Sequence, residues 1–186
     1  MAYIDVVEYD ESEGKLRDIY DNLIVSRGKL ADVHMIQSLN PESIVNHMDL
    51  YMTIMFGKSP LRRVQREMIA VVVSKSNDCD YCQMHHASAV NHYWKDEIKT
   101  EQLKADYSQL ELSEVDMELC HFAKKLTQNP NHKNQESIEK LKKLGLPDRA
   151  ILDATLVISY FNFVNRIVLG LGLNVNENEL EGYNYD

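Results

Sequence analysis

The residues able to do chemistry are concentrated in one run, Cys79-Asp80-Tyr81-Cys82-Gln83-Met84-His85-His86. Only a thiolate is a good nucleophile, and a free cysteine is a few per cent ionised at neutral pH. A helix N-terminus and a neighbouring histidine both favour the anion. On a helix turning 100° per residue, Cys82 lies about 60° from Cys79 and His86 about 40° from Cys82, with Val90 and Tyr93 continuing the stripe. Cys82 and His86 are therefore an i, i+4 pair facing the interior. His85 falls off that face and, with Tyr81, reads as a surface residue or a support behind the site. The three-residue step lets one sulfur attack a sulfenic acid formed on the other, which closes a disulfide before over-oxidation.

A fourth member lies twelve residues before Cys79. Glu67 sits on the margin of the apolar stripe Val64, Met68, Val71 and Val72. A carboxylate in that position either pairs with a cation or accepts a proton with a raised pKa. Zinc does not suit the set. Cys79 to His86 spans about 10 Å of helix, which is wide for three ligands at roughly 2.0–2.3 Å from one ion. Cys120, without a partner at redox spacing, reads as a small core hydrophobe. Asn162, Asn165 and Arg166 read as buried hydrogen-bonding or interface groups, and Met48, Met52 and Met55 as packing for a core or a subunit interface.

The elements that must hold these residues are helices almost throughout. An extended arm is expected over Tyr3–Tyr9, then a helix from Glu13 to Arg27 closed by Gly28. Asn40-Pro41 opens a helix over Glu42–Phe56 that Gly57 ends, and Ser59-Pro60 opens the next, to about Lys75. The helix bearing the cysteines runs from Cys79 to about Trp94. A polar stretch over Lys95–Ser113 holds a short helix and a linker. Helices follow over Glu114–Leu126, Ser137–Leu144 and Asp148–Leu171, before an acidic tail from Asn174 to Asp186. Ser59-Pro60-Leu61-Arg62 and Leu146-Pro147-Asp148-Arg149 resemble each other weakly as helix openings, either the trace of a two-fold helical repeat or ordinary helix-start grammar.

With 186 residues, 44% of them hydrophobic, the chain reads as one domain able to bury a core without a disulfide or metal staple, so its three cysteines are free for chemistry. Its 20 basic against 29 acidic residues and net charge of −9 exclude the electrostatic footprint of a nucleic-acid or anionic-membrane binder. The N-terminus shows no secretory pattern, which places the chain in a reducing cytoplasm. The longest uncharged apolar stretch, Ala154–Asn165, is shorter than the roughly 20 residues a bilayer requires. No flavin, nicotinamide or other cofactor motif is visible.

Arg66-Glu67-Met68-Ile69-Ala70 together with Ser74-Lys75-Ser76-Asn77-Asp78-Cys79-Asp80-Tyr81-Cys82-Gln83-Met84-His85-His86 resembles the core of the alkylhydroperoxidase D-like proteins within the carboxymuconolactone decarboxylase family. The resemblance extends to Leu144-Gly145-Leu146 and to Tyr160-Phe161-Asn162-Phe163-Val164-Asn165-Arg166, is closest to the peroxidase-related branch, and covers about residues 14–173. It implies an all-α helical bundle that assembles as a dimer, trimer or hexamer. It also implies a thiol-dependent peroxidase in which Cys82 attacks the hydroperoxide, Cys79 resolves the sulfenic acid, Glu67 and His86 relay the proton, and an external dithiol restores the pair. Tyr81 is a departure, since well-studied peroxidases of the family can carry histidine there. Two other readings remain. Ile69–Val73 could be a strand feeding the CxxC helix of a thioredoxin-like oxidoreductase, or the chain could be a non-redox relative such as a lactone decarboxylase.

Overall fold

The structure is a computed structural model that describes residues 2–131 and 133–174. Among these residues there is no strand, and nine α-helices follow one another: α1 Gly14–Arg27, α2 Asp32–Met35, α3 Pro41–Tyr51, α4 Arg63–Ser76, α5 Asp80–Trp94, α6 Glu97–Asp106, α7 Glu114–Gln128, α8 Gln135–Lys143 and α9 Asp148–Leu171. The expected all-α architecture holds. The acidic tail lies outside the described residues from position 175 onward.

The bundle is organised around α4, which packs against α5, α7 and α9. Every residue from Gln65 to Ser74 is buried, so this helix is surrounded on all sides. The β-branched run Val71-Val72-Val73, which a thioredoxin-like reading needs as a strand, is therefore helical, because burial on every face overrides its weak local preference. A smaller cluster of Leu16, Ile19, Tyr20, Leu23, Ile44 and Met48 packs α1 on α3.

The structure departs from the sequence expectation in several places for local reasons. α4 starts at Arg63 and not at Ser59-Pro60: the Ser59 hydroxyl accepts from Leu61 N–H and donates to Asp153 at 2.5 Å, making a turn. Arg62 N–H donates instead to the Gln65 side chain, capping the helix three residues later. After Tyr51 the chain widens into a π-helical turn over 52–56, a form often found at functional sites. The short helix expected in the polar stretch after Trp94 is α6, capped by Asp96 accepting from Lys99 N–H. The short α2 has no counterpart in the expectation. The N-terminal arm lies where expected, with Tyr3 N–H bonded to Leu171 O at 2.8 Å. Its ring covers Gly172, where φ is +73° and an added Cβ would meet ring carbons at 2.5 Å, so only glycine fits.

α9 is long and apolar enough to cross a membrane by length and composition, with mean hydropathy 1.4 over its best window. It is a core helix: Asp153 and Asn165 on its inner face are buried and hydrogen-bonded to other elements. Its outer face exposes Leu152, Leu156, Phe163 and Leu169. Of the methionines, Met48 and Met55 are core and Met52 is exposed.

Candidate functional site

The reversal between α4 and α5 places the cysteines. Asp78 adopts the left-handed conformation, φ 54°, two positions after the last residue of α4 and directly after its cap, Asn77. Asp78 N–H returns to Lys75 O and Cys79 N–H to Ser74 O, the paired bonds of a Schellman ending. Cys79 is also the residue that starts α5, its carbonyl accepting from Gln83 N–H. It thus belongs to the end of one helix and the beginning of the next. Asn77 donates to Asn162 and Asn165, and Asn165 in turn donates to Ser74, so α9 pins this reversal from below. Asn162 and Asn165 are the hydrogen-bonding groups expected, whereas Arg166 is exposed and bonds back to Asn162.

All three cysteines are thiols, and all three are buried. Hydrogen bonding from Cys82 holds the Cys79 thiol below its usual value, against burial and the charge of Asp80. Hydrogen-bonded in this way, the two thiols titrate as a pair. Cys120 is the opposite case: burial and Asp116 push it up to about 12, which leaves it an inert core thiol.

Glu67 is completely buried, and its two oxygens have different partners. Oε1 accepts from Arg63 Nε at 2.9 Å and from Arg63 Nη2, and Oε2 accepts from His86 Nδ1 at 2.6 Å. Burial acts to raise this carboxyl, but His86 and Arg63 outweigh it and hold Glu67 below the usual carboxylate range. Of the two alternatives read from the sequence, the structure takes pairing with a cation. Because an ionised carboxylate only accepts, the proton of neutral His86 lies on Nδ1 and Nε2 is left as a base. Phe161 packs on the His86 ring with centroids 4.3 Å apart, and Phe56 lies 3.5 Å under the Arg63 guanidinium.

Cys82, His86 and Glu67 open onto a cavity of about 100 Å³ whose wall includes Tyr51, Tyr81, His85, Tyr160 and Phe161, with Arg27 and Lys29 also lining it. Cys79 is not in the lining. Tyr81 and His85, expected at the surface or behind the site, are cavity wall, their rings 4.5 Å apart, with Tyr81 accepting from Val33 N–H. His34 and His47 complete the wall. Neither was anticipated, nor were Arg63 and Tyr160. Arg63 had a readable signal, its i, i+4 spacing to Glu67.

Burial drives three of these histidines down, His34 and His85 to about 3 and His47 to about 4, assisted at His34 by His47, Arg27 and His85 and at His85 by His86 and Lys29. They are neutral when folded and titrate near 6.5 when unfolded. Between those values the unfolded chain binds more protons, so stability falls as pH drops from about 6.5 toward 4, by up to about 1.4 kcal/mol per unit for each histidine. Urea unfolding at pH 7 and pH 5 should show a lower midpoint at pH 5 and an uptake of two to three protons; equal midpoints would mean the rings are charged or solvated in the fold.

Comparisons with known proteins bear on the family and the fold. Residues 46–95 match the carboxymuconolactone decarboxylase family, a segment that holds Glu67, Cys79, Cys82 and His86. No curated protein matches the chain in sequence. Among solved structures, an alkylhydroperoxidase AhpD core from Ralstonia eutropha JMP134, an uncharacterized peroxidase-related protein, superposes with TM-score 0.86 at 21% identity over 96% of this chain and 94% of that one. An uncharacterized peroxidase-related protein from Silicibacter sp. TM1040 gives 0.82 at 28% identity over 96% and 91%. The debrominase Bmp8 gives 0.79 at 16% over 97% of each chain. The fold is that of the alkylhydroperoxidase core. The resemblance to the carboxymuconolactone decarboxylase family drawn from Glu67 to His86 is upheld.

Proposed function

We propose that this chain is a thiol-dependent peroxidase that reduces hydroperoxides through Cys82 and Cys79. The observation that carries the reading is the 2.6 Å bond from His86 to a buried, ionised Glu67, on the same cavity wall as Cys82. Cys82 alone of the pair meets the cavity, which supports it as the attacking sulfur and Cys79 as the resolving one. His86 Nε2 takes the Cys82 proton, and Glu67 stabilises the imidazolium that results. The thiolate attacks the terminal oxygen of ROOH, so an S–O bond forms, the O–O bond breaks, and the proton on His86 ends on the alcohol ROH. Cys79 then displaces water from the sulfenic acid to give the disulfide. An external dithiol reduces it by exchange. No step requires a metal or an organic cofactor.

Thiol titration with one equivalent of hydroperoxide tests the reading. The wild-type chain should lose two of its three thiols and keep Cys120. Cys82→Ser should abolish turnover, whereas Cys79→Ser should accumulate one sulfenic acid per chain, trappable by dimedone. Full turnover by the Cys82 variant rejects the assignment, and an unchanged Cys79/Cys82 pair in the wild type favours a non-redox relative. Assembly as a homo-oligomer belongs to the same reading, supported by the exposed Leu152, Leu156 and Phe163 of α9.

A further inference from the structure

Besides the redox residues, the cavity lining includes polar groups that the thiol chemistry does not use. Gln37 Nε2 lies 2.7 Å from Val33 O and 2.8 Å from His47 Nδ1. A backbone carbonyl only accepts, so this atom is the amide nitrogen, and it donates to both. His47 Nδ1 is therefore an acceptor without a proton. The neutral ring carries its proton on Nε2, which faces the Tyr160 hydroxyl at 2.5 Å. With its oxygen accepting from His47, Tyr160 has its own proton left to give, and Tyr160 lines the cavity beside Cys82. Burial and the neighbouring Tyr51 and Cys82 hold the Tyr160 phenol well above its ordinary value, so it keeps that proton. In the same wall His34 meets His47 edge-on and leaves its Nδ1 buried without a hydrogen-bond partner, a polar atom that a bound molecule could satisfy.

We propose that Tyr160 is a catalytic residue that donates a hydrogen bond to the leaving oxygen of an organic hydroperoxide, and that Gln37 and His47 are positioning residues that fix it as a donor. This deepens the peroxidase reading and rests on it. As the O–O bond breaks, charge grows on the alkyl oxygen; Tyr160 stabilises that charge without giving up its proton, and the alkoxide receives the proton taken from Cys82 by His86. The aromatic and aliphatic lining, Phe161, Val164, Met48 and Ala89, suits the carbon body of the substrate. The substrate class is accordingly a small alkyl or aryl hydroperoxide.

Leaving-group ability separates this role from a structural one. A poor leaving group needs the donor, whereas the carboxylate leaving a peracid does not. Tyr160→Phe should slow sulfenic acid formation with tert-butyl hydroperoxide about 10²-fold, the usual size for losing one such donor, and with peracetic acid less than about threefold, while Cys82 alkylation by iodoacetamide stays at the wild-type rate. His47→Leu should show the same selectivity with a smaller loss. Equal rates for Tyr160→Phe and wild type with both oxidants overturn the assignment, and so does an equal loss with both, which marks a merely structural residue. A wild-type chain whose Cys82 reacts with neither oxidant overturns the peroxidase reading itself, and this one with it.

Discussion

Replacing Arg66 by alanine is expected to lower the free energy of unfolding by about 3–5 kcal/mol, the cost of several buried carbonyl acceptors losing their donor at once. Arg66 is buried, and its guanidinium donates to four backbone carbonyls, those of Ile54, Met55, Gly57 and Leu61, at 2.7–3.2 Å. Ile54 and Met55 end the π-helical turn, where carbonyls have no helical partner of their own. Alanine would leave these acceptors unmet, each at a cost of about 1 kcal/mol or more. Lysine does not rescue the site, because one ammonium lacks the planar fork that reaches all four. Gly57 shows how tightly this turn is drawn: a Cβ there would sit 2.3 Å from Thr53 O. Urea unfolding of Arg66→Ala and Arg66→Lys measures the effect. A loss below about 1 kcal/mol for alanine would show that water can replace the clamp.

Replacing Glu67 by glutamine should slow the reaction of Cys82 with hydroperoxide by about 10²–10⁴-fold while leaving the fold intact. The carboxylate accepts on both sides, from Arg63 on one oxygen and His86 on the other. Glutamine has one acceptor and one donor. If its oxygen keeps Arg63, its NH₂ faces His86 Nδ1, and the ring must move its proton to Nε2, the atom needed as base. The comparable tautomer reversal in serine proteases costs about 10⁴. The same change leaves the Arg63 charge without its counter-ion, which disfavours an imidazolium beside it. Stopped-flow kinetics between pH 6 and 9 check this: the variant should regain rate as pH rises and the thiol ionises unaided. A variant with the wild-type rate at pH 7 would remove Glu67 from the relay.

How much of this was legible in the sequence depends on the distance over which each feature is decided. Glu67, Cys79, Cys82 and His86 could be found because helical register is local and three of them share adjoining turns. The helical nature of α4 and α5 followed from the same periodicity. The start of α4 was misread because the Ser59-Pro60 signal is ordinary helix grammar, and what redirects it is Asp153, 94 positions away. Tyr160 lies inside the uncharged apolar stretch Ala154–Asn165, and His47 belongs to no pattern that marks it out. Their hydrogen bond spans 113 positions, and no periodicity encodes it. The donor sense of Tyr160 depends in addition on Gln37, from a third segment. His34 rides on a helix of four residues, too short to leave any repeat in the sequence.

The three-residue reversal between α4 and α5, whose last residue Cys79 closes one helix and caps the next, bears on how the molecule comes together. An αα-hairpin with so short a reversal is the cheapest long-helix pairing to close, since loop-closure entropy grows with the chain enclosed. The whole redox set, from Glu67 to His86, is therefore assembled by one local folding event. The contact between His47 and Tyr160 forms only when segments 113 positions apart dock. On the proposed reading, the thiol chemistry therefore rests on one local hairpin and the group facing the leaving oxygen on long-range packing.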